Sequence, residues 1–270
     1  MSALALNLRA TWARAYGRLA GASREPVWLA TEAVLPNLGM IAFVLLYRAL
    51  GAPRSFETLA VLGGLLSTYW INVLWGMGTQ FYWEKQSGQL QLYFAAPCSR
   101  MAILSGMASG GFLLTTLRTA FGLFIGFVVV GVRLPPFSLP ALLGVFALAM
   151  LVLYALGMIM ASAFLLWGRE AWQISNALHE PVQFLSGLFF PLRALGPLGL
   201  LAAGIVPIGL AVDALRQVLL GAGAYGLLPL RVEVVALCGF GALFLWLATV
   251  SLAHLESLAK REGRLTQRWQ

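Results

Sequence analysis

Apolar residues along this chain do not alternate with polar ones. They gather in long runs separated by short joints rich in Pro, Gly and charge. A helix crossing the hydrocarbon of a bilayer needs about 20 mostly apolar residues. Six runs meet that length, near 32–50, 57–82, 103–131, 139–167, 173–192 and 232–255. A seventh apolar region, 194–220, is broken by Gly196, Pro197 and Pro207. The N-terminal segment differs from all of these. Leu8, Trp12, Tyr16 and Leu19 recur at helical spacing while Arg14 and Arg18 fall on another face. This pattern predicts an amphipathic helix in the membrane interface, with its arginines at the headgroups.

Composition strengthens the membrane reading. Of 270 residues 60% are hydrophobic and only 10% charged, whereas about 25% is usual for a chain that must cover a solvated surface. The predicted fold is therefore all-α: six transmembrane helices over 32–255, the interfacial helix within a cytoplasmic 1–31, and a basic tail at 256–270.

Charge sets the orientation. The joints on one side collect Arg9, Arg14, Arg18, Arg24, Lys85, Arg100, Arg169, Lys260, Arg261, Arg264 and Arg268. The other side has Arg48, Arg54, Arg133, Arg193, Arg216 and Arg231, and Arg118 lies inside the third run. The excess predicts that both termini are cytoplasmic, in a plasma membrane (the inner membrane of a prokaryote). A crossing at 194–220 would place the basic tail outside. Two half-helices meeting near Pro207 are expected instead to form an external re-entrant hairpin, which is tolerated where neighbouring helices bury its backbone. The net charge of +8 is read as orientation and not as nucleic-acid binding, since no basic, aromatic soluble module accompanies it. No cleavable signal peptide is visible, so insertion is expected through the spans themselves. Cys98 and Cys238 lie in different environments, with neither disulfide nor metal spacing.

The longest cytoplasmic joint, about 83–101, contains Glu84, Lys85, Gly88, Leu90, Tyr93, Phe94 and Pro97. Leu90, Tyr93 and Phe94 stand three and four apart, so a short helix would carry them on one side. Pro97 would end that helix and Ser99 would cap the third span. An apolar-faced helix outside the membrane calls for a partner.

Two stretches of the chain resemble the type-2 permease family of ATP-binding-cassette exporters. The first runs Trp83-Glu84-Lys85-Gln86-Ser87-Gly88-Gln89-Leu90 and on to Ala96-Pro97-Cys98-Ser99-Arg100. The second begins Ser186-Gly187-Leu188-Phe189-Phe190-Pro191 and continues through Val206-Pro207 to Ala211-Val212-Asp213-Ala214-Leu215-Arg216. Val206 stands where that family usually has Asn. The chain is most similar to the branch that exports drugs and lipo-oligosaccharides. The resemblance implies a coupling helix at 83–97 that docks on an ATPase, a hairpin containing Pro207, Asp213 and Arg216, a second permease subunit (alike, as a homodimer, or a different paired one), and two cytosolic ATPase subunits that hold ATP and Mg. On this chain itself no cofactor or metal is expected.

Nor is catalysis expected. A phosphate-binding loop needs Gly before its Lys, but Lys85 follows Glu84 and Lys260 follows Ala259. His179-Glu180 lacks the second His of a zinc helix, and Asp213 is the only Asp. What remains is polar stripes within spans. Span two has Thr68, Asn72, Gly76, Thr79 and Gln80; span five has Asn176, His179, Glu180 and Gln183. Each set recurs at helical spacing. Such residues either bond neighbouring helices or line a substrate path, and the resemblance places a path along spans two and five at the subunit interface. Gly106-x-x-x-Gly110 and Gly122-x-x-x-Gly126 read as close helix packing. Arg118 and Glu180 lie at similar depth with opposite sign, so they are expected to pair in at least one conformation, where Pro181 loosens the helix. The expected function is the permease subunit of an ATP-driven exporter of an amphiphile (drug, lipid or lipid-linked glycan). The alternative is a gradient-driven carrier, which would favour internal repeats.

Overall fold

The computed structural model describes residues 2–167, 169–221 and 226–261. Its elements are helices: α1 (Ala3–Ser23), α2 (Pro26–Ala49), α3 (Arg54–Ile71), α4 (Gln80–Gln86), α5 (Leu90–Ala95), α6 (Arg100–Phe124), α7 (Leu139–Trp167), α8 (Arg169–Leu185), α9 (Gly196–Ile205), α10 (Pro207–Leu220) and α11 (Leu230–Arg261). A π-helical stretch, Asn72–Gly78, joins α3 to α4, and a second, Ile125–Val129, extends α6. Among the described residues there is no strand.

Five helical segments are long and apolar enough to cross a membrane: Leu29–Ala49, Arg54–Gln86, Arg100–Val129, Leu139–Phe164 and Leu230–His254. They match the first four runs and the last. The fifth run does not qualify as read. Its helix, α8, has 17 residues and ends at Leu185, because Gly187 takes a positive φ and Pro191 follows. Its polar residues gather on one side, so it is strongly amphipathic rather than uniformly apolar.

The Arg54–Gln86 run is the core: 78% of its most apolar window is buried, against 17% for the windows in α2 and α11. The least apolar of the five segments therefore packs at the centre, while the more apolar α2 and α11 present an outer, lipid-compatible surface. Around the central run stand α6, α7 and α10, and α7 packs broadly on α11. At Gly63 the approach is so close that an added Cβ would run into the Leu188 carbonyl.

α1 runs beside the first half of α6 and in the same direction. At Gly106 a Cβ would sit 2.5 Å from the Thr11 carbonyl oxygen, so the Gly106/Gly110 pair accommodates α1. The Gly122/Gly126 pair accommodates α2 and α3, at Asn37 and Val61. Leu4, Leu8, Trp12 and Tyr16 form an exposed stripe on the opposite side of α1, as expected of an interfacial helix. Arg14 and Arg18 do not behave as expected, because both turn inward.

The region 194–220 is two helices broken at Val206. Pro207 lacks an N–H and pushes the residue before it out of the helical region, and Val206 is extended. α10 is buried almost throughout, between α3, α7 and α11.

Candidate functional site

At the end of the bundle where α4 stops, Glu84 gathers three elements. Its Oε1 forms an ion pair with Arg14 of α1 and accepts from Gln80 Nε2 at 2.9 Å. Its Oε2 accepts from the Tyr93 hydroxyl of α5 at 3.1 Å. The Arg14 guanidinium also lies 5.2 Å from the centre of the Tyr93 ring, a cation–π distance. Burial pushes the Tyr93 phenol up to about 12; Arg14 opposes that shift and Glu84 adds to it. The phenol therefore keeps its proton and donates it. Asn7 Oδ1 accepts from the Ser99 N–H at 2.8 Å, and Thr11 donates to the Ala102 carbonyl at 3.0 Å. Sequence reasoning found Glu84 and Tyr93 but missed Arg14 and Asn7, which no periodicity could place beside them.

The joint itself departs from expectation. Gly88 supplies the turn between α4 and α5 with a φ of +76, which favours glycine. Leu90, expected to face a partner, is only 1% exposed and packs in this chain's own core. α5 packs against α4 and α6, and Leu90 turns inward with it. Leu92 is the exposed apolar residue instead, at 69%. The Phe94 side chain lies outside what is described. Pro97 is exposed beyond the end of α5. Ser99 occupies the cap position of α6 without a side-chain capping bond.

The span-two stripe is not one face. A π-helical stretch carries i→i+5 bonds and shifts every later residue around the axis, so a 3.6-residue count fails across Asn72–Gly78. Thr68 bonds back to the Gly64 carbonyl and Thr79 to the Trp75 carbonyl. Asn72 is buried and accepts from Tyr154 at 3.1 Å. Gly76 and Gly111 make room for Arg18, which donates to the Met107 carbonyl at 3.2 Å. Burial lowers the Arg18 guanidinium to about 10, so it is still charged near neutrality. Asn72 and Arg18 thus tie neighbouring helices together, with Arg18 inside the bundle rather than at headgroups, while Thr68 and Thr79 bond back within their own helical run.

The side of the core run that meets α8 is carried by other residues. Gly63 lies against Leu188, Ser67 accepts from Gln183 at 2.9 Å, and Trp75 and Trp83 lie 4.6 and 6.4 Å from Trp172 between ring centres. Gln183 also meets His179 at 3.3 Å, while Asn176 and Glu180 are exposed. Gln183 thus faces Ser67, with His179 beside it, a contact hidden from a reading that stopped at the larger polar residues.

At the opposite end, where α2 turns into α3, Arg216 is 1% exposed and donates to the carbonyls of Gly187, Leu188 and Phe190. Phe189 stacks on Phe43 at 4.3 Å and accepts from Tyr47 at 2.6 Å. Asp213 accepts from the Leu227 N–H at 2.5 Å, and Gln217 bridges the Leu228 carbonyl and Glu233. Pro207 opens the helix that carries all three. Gln217 and Glu233 are further members that sequence reasoning missed.

Arg118 forms its ion pair with Glu32 of α2, not with Glu180. The reason is packing: α2 lies beside α6, whereas α8 packs on α7, α9 and the π-helical stretch. No family model matches the chain, and no curated protein matches it either.

Proposed function

We propose that the chain is the membrane-spanning subunit of an ATP-driven exporter of the type-2 permease kind, paired with a second permease subunit and two cytosolic ATPase subunits. The observation that carries this reading is the Glu84 knot, in which one carboxylate ties the end of the buried core run to α1 and to the short helix α5. A push on α5 would pass through Tyr93 and Glu84 into α4. From there it would reach Asn72–Gly78, where a π-helical stretch is a natural place for a helix to bend. The same stretch adjoins α8, so a movement begun at α5 ends where Ser67, His179 and Gln183 meet.

In this reading α8 is the fifth of six spans. Its Trp172 meets Trp75 and Trp83, and the segment after it meets Gly63 and Phe43. Seventeen residues at 1.5 Å each cover about 25 Å, and 186–190 supply the rest of a core about 30 Å thick. α9 and α10 form the re-entrant hairpin, both termini are cytoplasmic, and the cargo is an amphiphile passing beside α8.

The test uses Leu92→Asp. Its side chain is exposed, so the fold should survive, but a charge in a dehydrated contact costs several kcal/mol if unpaired. The purified variant should melt like the wild type yet lose both the co-purified ATPase and ATP-dependent transport in proteoliposomes. Unchanged ATPase association and transport would refute the proposal. One observation favours the second reading, a gradient-driven carrier: Asp213 and Glu233 place two buried carboxyl groups in one network. Transport abolished by a protonophore and indifferent to ATP would select that reading.

A further inference from the structure

The bundle contains a cavity of about 400 Å³ between α3, α6, α7 and α10, within the usual range of ligand sites, about 300–1,000 Å³. It lies away from the α8 face. None of its lining residues is charged, and its polar groups are the hydroxyls of Thr58, Tyr69, Thr116 and Thr119. Tyr69 and Thr116 bond each other at 2.9 Å, and Thr58 donates to the Arg133 carbonyl at 3.5 Å. Among these hydroxyls only Thr119 Oγ1 lacks a partner. A ligand rich in polar groups would leave its own groups unpaired against this lining, whereas an alkyl chain has none to pair.

Shape narrows the choice. Thr58 and Tyr69 mark its two ends along α3, and eleven residues of helix span about 16 Å. An elongated apolar slot of that length accommodates an extended alkyl chain. The lining includes Ala120 of α6 and Leu143 of α7, both exposed, so the cavity opens sideways between those helices. The surrounding surface is apolar and exposed, with Leu117 and Phe121 on one helix and Leu139 on the other. A bilayer tail therefore reaches the opening without crossing water. At the Thr58 end, exposed Arg133 precedes Leu134 of the lining, a cation where a lipid phosphate would sit.

We infer that this cavity holds one acyl chain of a phospholipid from the leaflet at the α2–α3 end, with its phosphate at Arg133. The inference rests on the membrane reading alone. It survives if the export proposal fails, and export can hold without it.

The test is native mass spectrometry of the full-length protein, delipidated in mild detergent and given back palmitoyl-oleoyl phosphatidylglycerol or palmitic acid. The wild type should retain one phospholipid and little palmitic acid. Ala120→Trp fills the opening and should reduce retention about tenfold or more, since the tail loses its room. Leu143→Trp blocks it from the other helix and serves if Ala120→Trp fails to fold. Leu117→Trp, on the same surface but outside the cavity, should retain lipid as the wild type does. Arg133→Glu should weaken retention of the phospholipid. Retention unchanged in both blocking variants would overturn the inference, as would palmitic acid held as tightly as phospholipid.

Discussion

Two knots of charge hold the ends of this bundle, and they are built in opposite ways. Around Arg216 a guanidinium is held by three backbone carbonyls in a site with almost no exposure. Around Glu84 a carboxylate is held by side chains from α1, α4 and α5, and its Arg14 partner is 19% exposed. Backbone partners cannot swing away without unfolding the turn that carries them, so the first arrangement fixes a shape. Side-chain partners can change rotamer and re-form, so the second permits movement. The proposed export cycle would use both: a rigid closure at one face and a yielding joint where a motor acts.

The largest effect should come from the rigid knot. Arg216→Met keeps most of the side-chain volume but leaves three buried carbonyls without their donor. Each unsatisfied group costs about 1–3 kcal/mol, so a total of about 3 kcal/mol or more is expected, seen as a clear fall in melting temperature of the purified protein. Near-wild-type melting would mean that water takes over the carbonyls and that the site is not dry.

The Glu84 knot should give a smaller loss of stability and a larger loss of function. In a double-mutant cycle with Arg14→Gln and Glu84→Gln, a coupling of about 1.5 kcal/mol is expected for a charge-assisted bond. Tyr93 and Gln80 still bond the amide that replaces the carboxylate, so the fold persists. ATP-driven transport should nonetheless fall in either single variant, and the distinction between the knots would collapse if stability fell while transport stayed intact.

The sequence made the helices legible and left their facing directions obscure. Run length and hydropathy located five spans because lipid imposes a length that no packing detail alters. The break at Val206-Pro207 was legible for a similarly local reason. The α8 helix was read as a longer apolar span because Phe189 and Phe190 extended the run after Gly187 had ended the helix. The span-two stripe failed across Asn72–Gly78 because nothing in the residue types announces the π-helical register. Arg14 and Arg18 were sent to headgroups because a basic amphipathic pattern gives no hint that Gly76, Gly106 and Gly111 leave room for α1 and its guanidinium groups.

A third charged contact, the most exposed of the three, gives the smallest expected effect. Arg118 and Glu32 pair between α6 and α2, with side chains 12% and 33% exposed. Depth along a helix can be counted from sequence, but the direction around the bundle cannot, and that is why depth alone points to Glu180. Glu180 is exposed, on a helix that packs against α7, α9 and the π-helical stretch. Partial exposure on the Glu32 side should hold the coupling near the upper end for solvated pairs, about 0.5–1 kcal/mol. A cycle of Arg118→Gln with Glu32→Gln, read by thermal unfolding, should show that coupling. The matching cycle with Glu180→Gln should be additive within about 0.3 kcal/mol. The reverse result, coupling to Glu180 and additivity with Glu32, would mean that the resting arrangement is another conformation, in which α8 has swung towards α6. That outcome would also place the moving element at the middle of the bundle rather than at the Glu84 joint.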